Sequence, residues 1–231
     1  MKAFSLSAVG SIILAGTLLS TSSAEAAVIN DATSNNYIGF IADEGPTNPV
    51  DPTNPDNPNP PSPIDPEDPG NGGTGNTGAL TLDHVSNIQF GTQKIMTGNT
   101  TYNAKNKDPF VQVSDKRGTG EGWSLTAKAS EFKSDSGEVL RGAILSFKNG
   151  QVKSHTSNVS TPPTANDVVF DNSDSKVLML AEVDAGRGTW LDVFSGTEGD
   201  NSNVQLNVLA GSADAQNYTA TMTWELSDAP K

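Results

Sequence analysis

Cysteine is absent from the 231 residues, which removes disulfides, thiol nucleophiles, thiolate metal sites and a lipid-bearing cysteine. Stability must come from an ordinary core. Histidine is nearly absent: His84 and His155 stand far apart and fit no paired-ligand or HExxH-type spacing. No Gly-x-Ser-x-Gly turn and no phosphate-binding glycine loop opening a helix occurs. Carboxylates are plentiful, but any two of many could converge, so no glycosidase pair stands out. The sequence thus offers no recognisable seat for enzyme chemistry or for a cofactor. Positive charge is scarce as well. Fourteen Lys and Arg face 27 Asp and Glu, a formal net charge of −13. A chain of pI 4.4 has no electrostatic attraction for nucleic acid or an acidic membrane face.

Long apolar runs are missing too. The N-terminus reads Met1-Lys2, then Ile12, Ile13, Leu14, Leu18 and Leu19, then Ala24-Glu25-Ala26. Positive start, short apolar stretch and small residues before a cut after Ala26 make residues 1–26 a secretory signal peptide. A membrane span is the competing reading, but Ser7, Gly10, Ser11, Gly16 and Thr17 break the run short of the ~20 apolar residues it needs. The chain is therefore expected outside the cytoplasm. Leu226-Ser227-Asp228-Ala229-Pro230-Lys231 shows neither an apolar tail nor a Leu-Pro-x-Thr-Gly sorting signal, so retention at a surface is expected to be non-covalent.

What is present falls into three parts. Residues 27–42 hold one apolar stretch, Tyr37-Ile38-Gly39-Phe40-Ile41, a lone strand expected to dock on the later domain or stay loose. Residues 43–78 turn to Pro, Asp, Asn, Gly and Thr, as in Thr47-Asn48-Pro49-Val50-Asp51-Pro52. Closely spaced prolines lack backbone donors and favour polyproline II, so this part reads as a semi-stiff spacer with nothing to fill a core. Residues 79–231 alternate with period two, the mark of half-buried strands. Tyr218, Ala220, Met222, Trp224 and Leu226 share one face, as do Val204, Leu206 and Val208, and Trp123, Leu125, Ala127 and Ala129. Further strands are expected around 110–113, 139–147, 176–183 and 189–194. Lys148-Asn149-Gly150-Gln151 predicts a two-residue hairpin turn. The fold class expected is all-β, an immunoglobulin-like β-sandwich preceded by the Pro/Asp/Asn-rich spacer.

Two tripeptides of the form Trp-x-Leu recur, Trp123-Ser124-Leu125 behind a glycine-rich loop and Trp224-Glu225-Leu226 near the C-terminus. With them come Ser86-Asn87-Ile88-Gln89-Phe90-Gly91, Leu140-Arg141-Gly142-Ala143 and Gly188-Thr189-Trp190. In these motifs the chain resembles the WxL-domain surface proteins of Gram-positive bacteria over nearly its whole length after residue 26. The resemblance implies a cell-surface module attached non-covalently to the peptidoglycan cell wall, often beside companion surface proteins. It also implicates Trp123, Leu125, Trp224 and Leu226 in attachment.

Period two places Trp and Leu of each motif on one strand face, so two readings stand. In the first, all four side chains are core, so that truncation unfolds the domain and wall binding is lost indirectly. In the second, an exposed indole offers a flat platform for a sugar ring, with Lys116, Arg117 and Glu121 beside Trp123 bonding glycan hydroxyls or peptide-stem carboxylates. Trp190 is assigned to packing. Asp171-Asn172-Ser173-Asp174 and Asp200-Asn201-Ser202-Asn203 complete no calcium-loop pattern and read as turns. The acidic charge sits awkwardly with a wall that carries anionic polymers, which keeps open a second reading, a structural or adhesion subunit that binds companion exported proteins.

Overall fold

In the computed structural model residues 30–228 are described, and the expected signal peptide lies outside them. The chain divides into Met1–Gly39 and Phe40–Lys231. In the first unit the described residues 30–39 are exposed and form no strand, so the expected strand at 37–41 is not formed.

The second unit is built from twelve strands: β1 Leu80–Val85, β2 Thr100–Ala104, β3 Phe110–Asp115, β4 Trp123–Ala129, β5 Ile144–Phe147, β6 Gln151–Lys153, β7 Thr164–Ala165, β8 Val168–Phe170, β9 Lys176–Ala181, β10 Gly188–Val193, β11 Asn201–Val208 and β12 Met222–Ser227. No helix occurs among the described residues. The strands pair antiparallel in three four-stranded sheets, ordered β1-β3-β10-β6, β2-β11-β5-β8 and β12-β4-β9-β7. The all-β expectation holds, but the pairing gives three sheets where an immunoglobulin-like sandwich has two. One core serves all three: Val113 and Trp190 come from the first, Phe147 and Val204 from the second, Trp123 and Met179 from the third.

Alternation produces the buried faces where one side of a strand meets solvent. In β11, Val204, Leu206 and Val208 are buried while Gln205 and Asn207 between them are only partly so. In β3 every residue is buried, because its outer face is covered too. The cover is the proline-rich segment. Val50 and Ile64 pack on Phe110, Leu191 and Val193, and the Gln112 side chain accepts from Val50 N and donates to the Asn48 carbonyl. The expectation that residues 43–78 contribute nothing to a core is therefore corrected. Proline removes donors but not carbonyls or ring surface, and the interspersed Asp side chains accept from the donors that remain. Asp51 accepts from Thr53, Asn54 and Asn57. Asp65 accepts from Asn106, and Asp68 from Asn87.

The Asn149-Gly150 turn is also corrected. Asn149 does take positive φ, 54°, yet β5 pairs with β11 and β8 while β6 pairs with β10. The turn carries the chain from one sheet to another and closes no hairpin. Asn149 is held there by Asp167 and Asn203. Gly150 is needed because a Cβ would stand 2.2 Å from Asp192 Oδ1. The Asx cluster at 171–174 is a turn, as expected, with Asn172 accepting from Asp174 N; the cluster at 200–203 is corrected, since it enters β11, where buried Asn201 donates to the carbonyls of Asn106 and Phe194.

Two buried ionisable groups set the pH response. Burial, and secondarily nearby Asp167, raises Asp192 from 3.8 to about 7, and neither of its oxygens has a partner among the described residues. Burial lowers His84 from 6.5 to about 4, against the pull of Asp68, with the ring stacked on Phe110 at 4.1 Å. The folded state favours the acid form of Asp192, so that contribution is full below pH 3.8 and fades as pH rises toward 7. It favours neutral His84, so that contribution is full above pH 6.5 and fades as pH falls toward 4. Each slope is about 1.4 kcal/mol per pH unit, and the signs oppose. Urea melts between the two histidine limits should show nearly pH-independent stability for the native protein. Asp192→Asn should gain stability with rising pH in that window, and His84→Gln should lose it. Separately, Ile64→Asp should open residues 43–78 to protease without unfolding the sheets, as read by limited digestion and far-ultraviolet dichroism.

Candidate functional site: the paired Trp-x-Leu strands

The two motifs lie on adjacent strands of one sheet. In the β4–β12 ladder Leu226 stands opposite Leu125, Trp224 opposite Ala127 and Ser227 opposite Ser124. Cross-strand partners point to the same face, so all four motif side chains look toward the shared core. Their depth differs because strand order differs. β4 is flanked by β12 and β9, whereas β12 ends its sheet. Trp123 and Leu125 are 0% exposed. Trp224 and Leu226 are half-buried and pack against the rim of the core.

Glycine makes room for the deep indole. Trp123 Nε1 donates to the Gly186 carbonyl at 3.1 Å, which satisfies its one polar atom. A Cβ on Gly186 would come within 2.6 Å of that nitrogen, and one on Gly122 within 2.4 Å of the Ala181 carbonyl. Both glycines have positive φ, which side chains resist. The open question about Trp123 therefore resolves to core. Trp190 is packing too, with its Nε1 on the Arg187 carbonyl.

Lys116 and Arg117 are engaged within the chain. The Lys116 ammonium bonds the Gly45 carbonyl and Asp43. Arg117 grips Asp115 through two bonds, Nε to Oδ1 at 2.9 Å and Nη2 to Oδ2 at 2.8 Å, and donates also to the Gly122 carbonyl. The Asp115 bonds, against the cost of burial, raise the guanidinium pKa further above its already high value. The fork pins the loop before Trp123 to β3, so its geometry is that of a clamp.

What stays accessible is a groove along β12. One part, about 940 Å³, is lined by Phe90, Ile95, Met96, Phe132, Tyr218 and Trp224 among others. A second opening of about 960 Å³ lies between Leu80, Leu82 and Arg117 on one side and Trp224 and Leu226 on the other. Trp224 lines both. Ile95 and Met96 are 55% and 51% exposed, although apolar side chains of this size usually find cover. Sequence reasoning missed these two and Tyr218 as groove residues. The apolar pair Ile95-Met96 inside a polar loop was the available signal. Two motif blocks noted above also reach the groove, through Phe90 and Leu140.

The described residues thus form a helix-free module with an apolar groove beside a half-buried indole. Among the described residues no group of three or more His, Asp or Glu could hold a metal ion, and no helix is long and apolar enough to cross a membrane. The family model for the WxL domain, described as surface cell wall-binding, matches residues 27–230. The chain belongs to the WxL-domain family. Comparison with curated proteins and with solved structures found no match.

The depth difference predicts unequal mutants. Trp123→Ala should cost about 3–5 kcal/mol and Trp224→Ala about half as much, because only part of that ring leaves water. Urea denaturation of both variants measures this, and equal losses would contradict the assignment.

Proposed function

We propose that this protein is a non-catalytic surface module, exported and held to the peptidoglycan wall without a covalent bond. Its contact is made by the rim half of the paired motif, Trp224 and Leu226. The observation that carries this reading is the half-buried Trp224 indole at the junction of the two groove openings. An indole with one face available offers an apolar plane for a sugar ring, and polar neighbours such as Gln93 and Asn217 line the same groove. Its charged lining leans acidic, with Lys94 and Arg117 against Asp68, Asp214, Glu121 and Asp228, so the contact with a wall that carries anionic polymers rests on the uncharged surface around the indole. Trp123 and Leu125 serve attachment indirectly, by holding β4 in place.

Recognition without turnover also suits the strongly perturbed groups. A catalytic acid or base must reach substrate, whereas His84 and Asp192 are 1% and 0% exposed. The second reading, a structural subunit bound to companion exported proteins, is favoured by one observation, the open edge of β12, which is a surface that protein strands recognise.

Sedimentation of purified protein with bare peptidoglycan sacculi separates the readings. The native chain should sediment, and Trp224→Ala should lose at least tenfold in affinity while its melting transition stays cooperative. Retention that requires added companion protein would favour the second reading. Release of reducing sugar or free amines would overturn both.

A further inference from the structure

The most exposed apolar stretch of the described chain is Tyr37-Ile38-Gly39-Phe40-Ile41, with Tyr37 96%, Ile38 73%, Phe40 86% and Ile41 96% exposed. Four large apolar side chains within five residues are left in water, beyond the scattered singles that a soluble surface ordinarily carries. The segment has extended-chain composition and no pairing of its own. The same chain holds the complementary vacancy. β12 ends its sheet, and the groove along it exposes Met222, Trp224 and Leu226 to apolar contact. We infer that Tyr37–Ile41 of one copy adds as a strand along the Met222–Leu226 edge of a second copy, in a reciprocal exchange that makes a dimer.

Three observations select this occupant. Lengths match, because five residues lie against five, and alternate side chains of an added strand would enter the groove while its backbone pairs with β12. Charge permits it: residues 32–42 carry no Asp, Glu, Lys, Arg or His, so the segment approaches a chain of net charge −13 without the repulsion that other surfaces would meet. The root of the segment is fixed beside the groove. Gly78 N donates to the Glu44 carbonyl, and Lys116 bonds Asp43 and Gly45, while the neighbouring Thr77 and Arg117 line the groove opening. A root next to each groove lets both copies donate at once across a two-fold axis, which closes the assembly and leaves no edge to propagate. Strand addition would also shield Trp224, so dimer and wall would compete for it, but the exchange does not rest on wall binding.

Analytical ultracentrifugation of residues 27–231, the chain without its expected leader, tests the exchange. The native chain should sediment as a dimer that dissociates on dilution. Ile38→Asp with Phe40→Asp should be monomeric at concentrations at least tenfold higher, and since both side chains are exposed the fold should be untouched. A labelled peptide of residues 33–43 should bind that monomer and move its tryptophan emission. A native chain that stays monomeric at every concentration overturns the inference, whether its segment covers its own groove or a different protein does so. A dimer that survives the double substitution overturns it equally, as does a peptide that fails to bind. Wall sedimentation of the double variant keeps the two readings apart, because it reports on Trp224 with the exchange removed.

Discussion

Burial of the Trp123 indole, with its nitrogen bonded to the Gly186 carbonyl, is the constraint on which the rest of the architecture hangs. A ring of this size fills a core only if the surrounding backbone closes on it. Gly122 and Gly186 allow that closure, Ala181 packs beside it, and Arg117 ties the preceding loop to Asp115. With Trp123 in place β4 must run through the middle of its sheet. Its partner β12 is then left at the end, and the second motif falls at the rim.

One repeated motif thus does two kinds of work. The inner copy closes the core shared by three sheets, and the outer copy borders a groove with part of its ring in reach of solvent. A chain without cysteine has only packing and hydrogen bonds for cohesion. The proline-rich segment adds to both by covering the outer face of β3 and β10. Its Asp side chains accept from the backbone and Asn donors between the prolines, as Asp51 does from Thr53, Asn54 and Asn57. Burial disfavours the charge on Asp68, yet bonds from Asn87 and Asn71 hold its carboxyl below the ordinary range.

Much of this was legible in the residues. Alternation marks β4, β11 and β12, and a period of two puts Trp and Leu of each motif on one face, as observed. Depth was not legible. Whether a strand is central or terminal depends on pairing with strands far off in sequence, as β4 pairs with β9 and β12, which the local pattern around each tryptophan does not show. The same limit explains the Asn-Gly turn, where local φ preference was read rightly at Asn149 but the partners of β5 and β6 lie elsewhere. In β3 the period fails because both faces are covered. For Lys116 and Arg117, adjacency to a tryptophan suggested a ligand, while the nearby Asp43 and Asp115 had already taken them.

The division between a structural and an accessible indole is the central claim, and fluorine NMR of protein labelled with fluorotryptophan tests it most directly. Titration with soluble peptidoglycan fragments should move the Trp224 resonance and leave those of Trp123 and Trp190 in place. Movement of the Trp123 resonance with Trp224 unchanged would contradict the account.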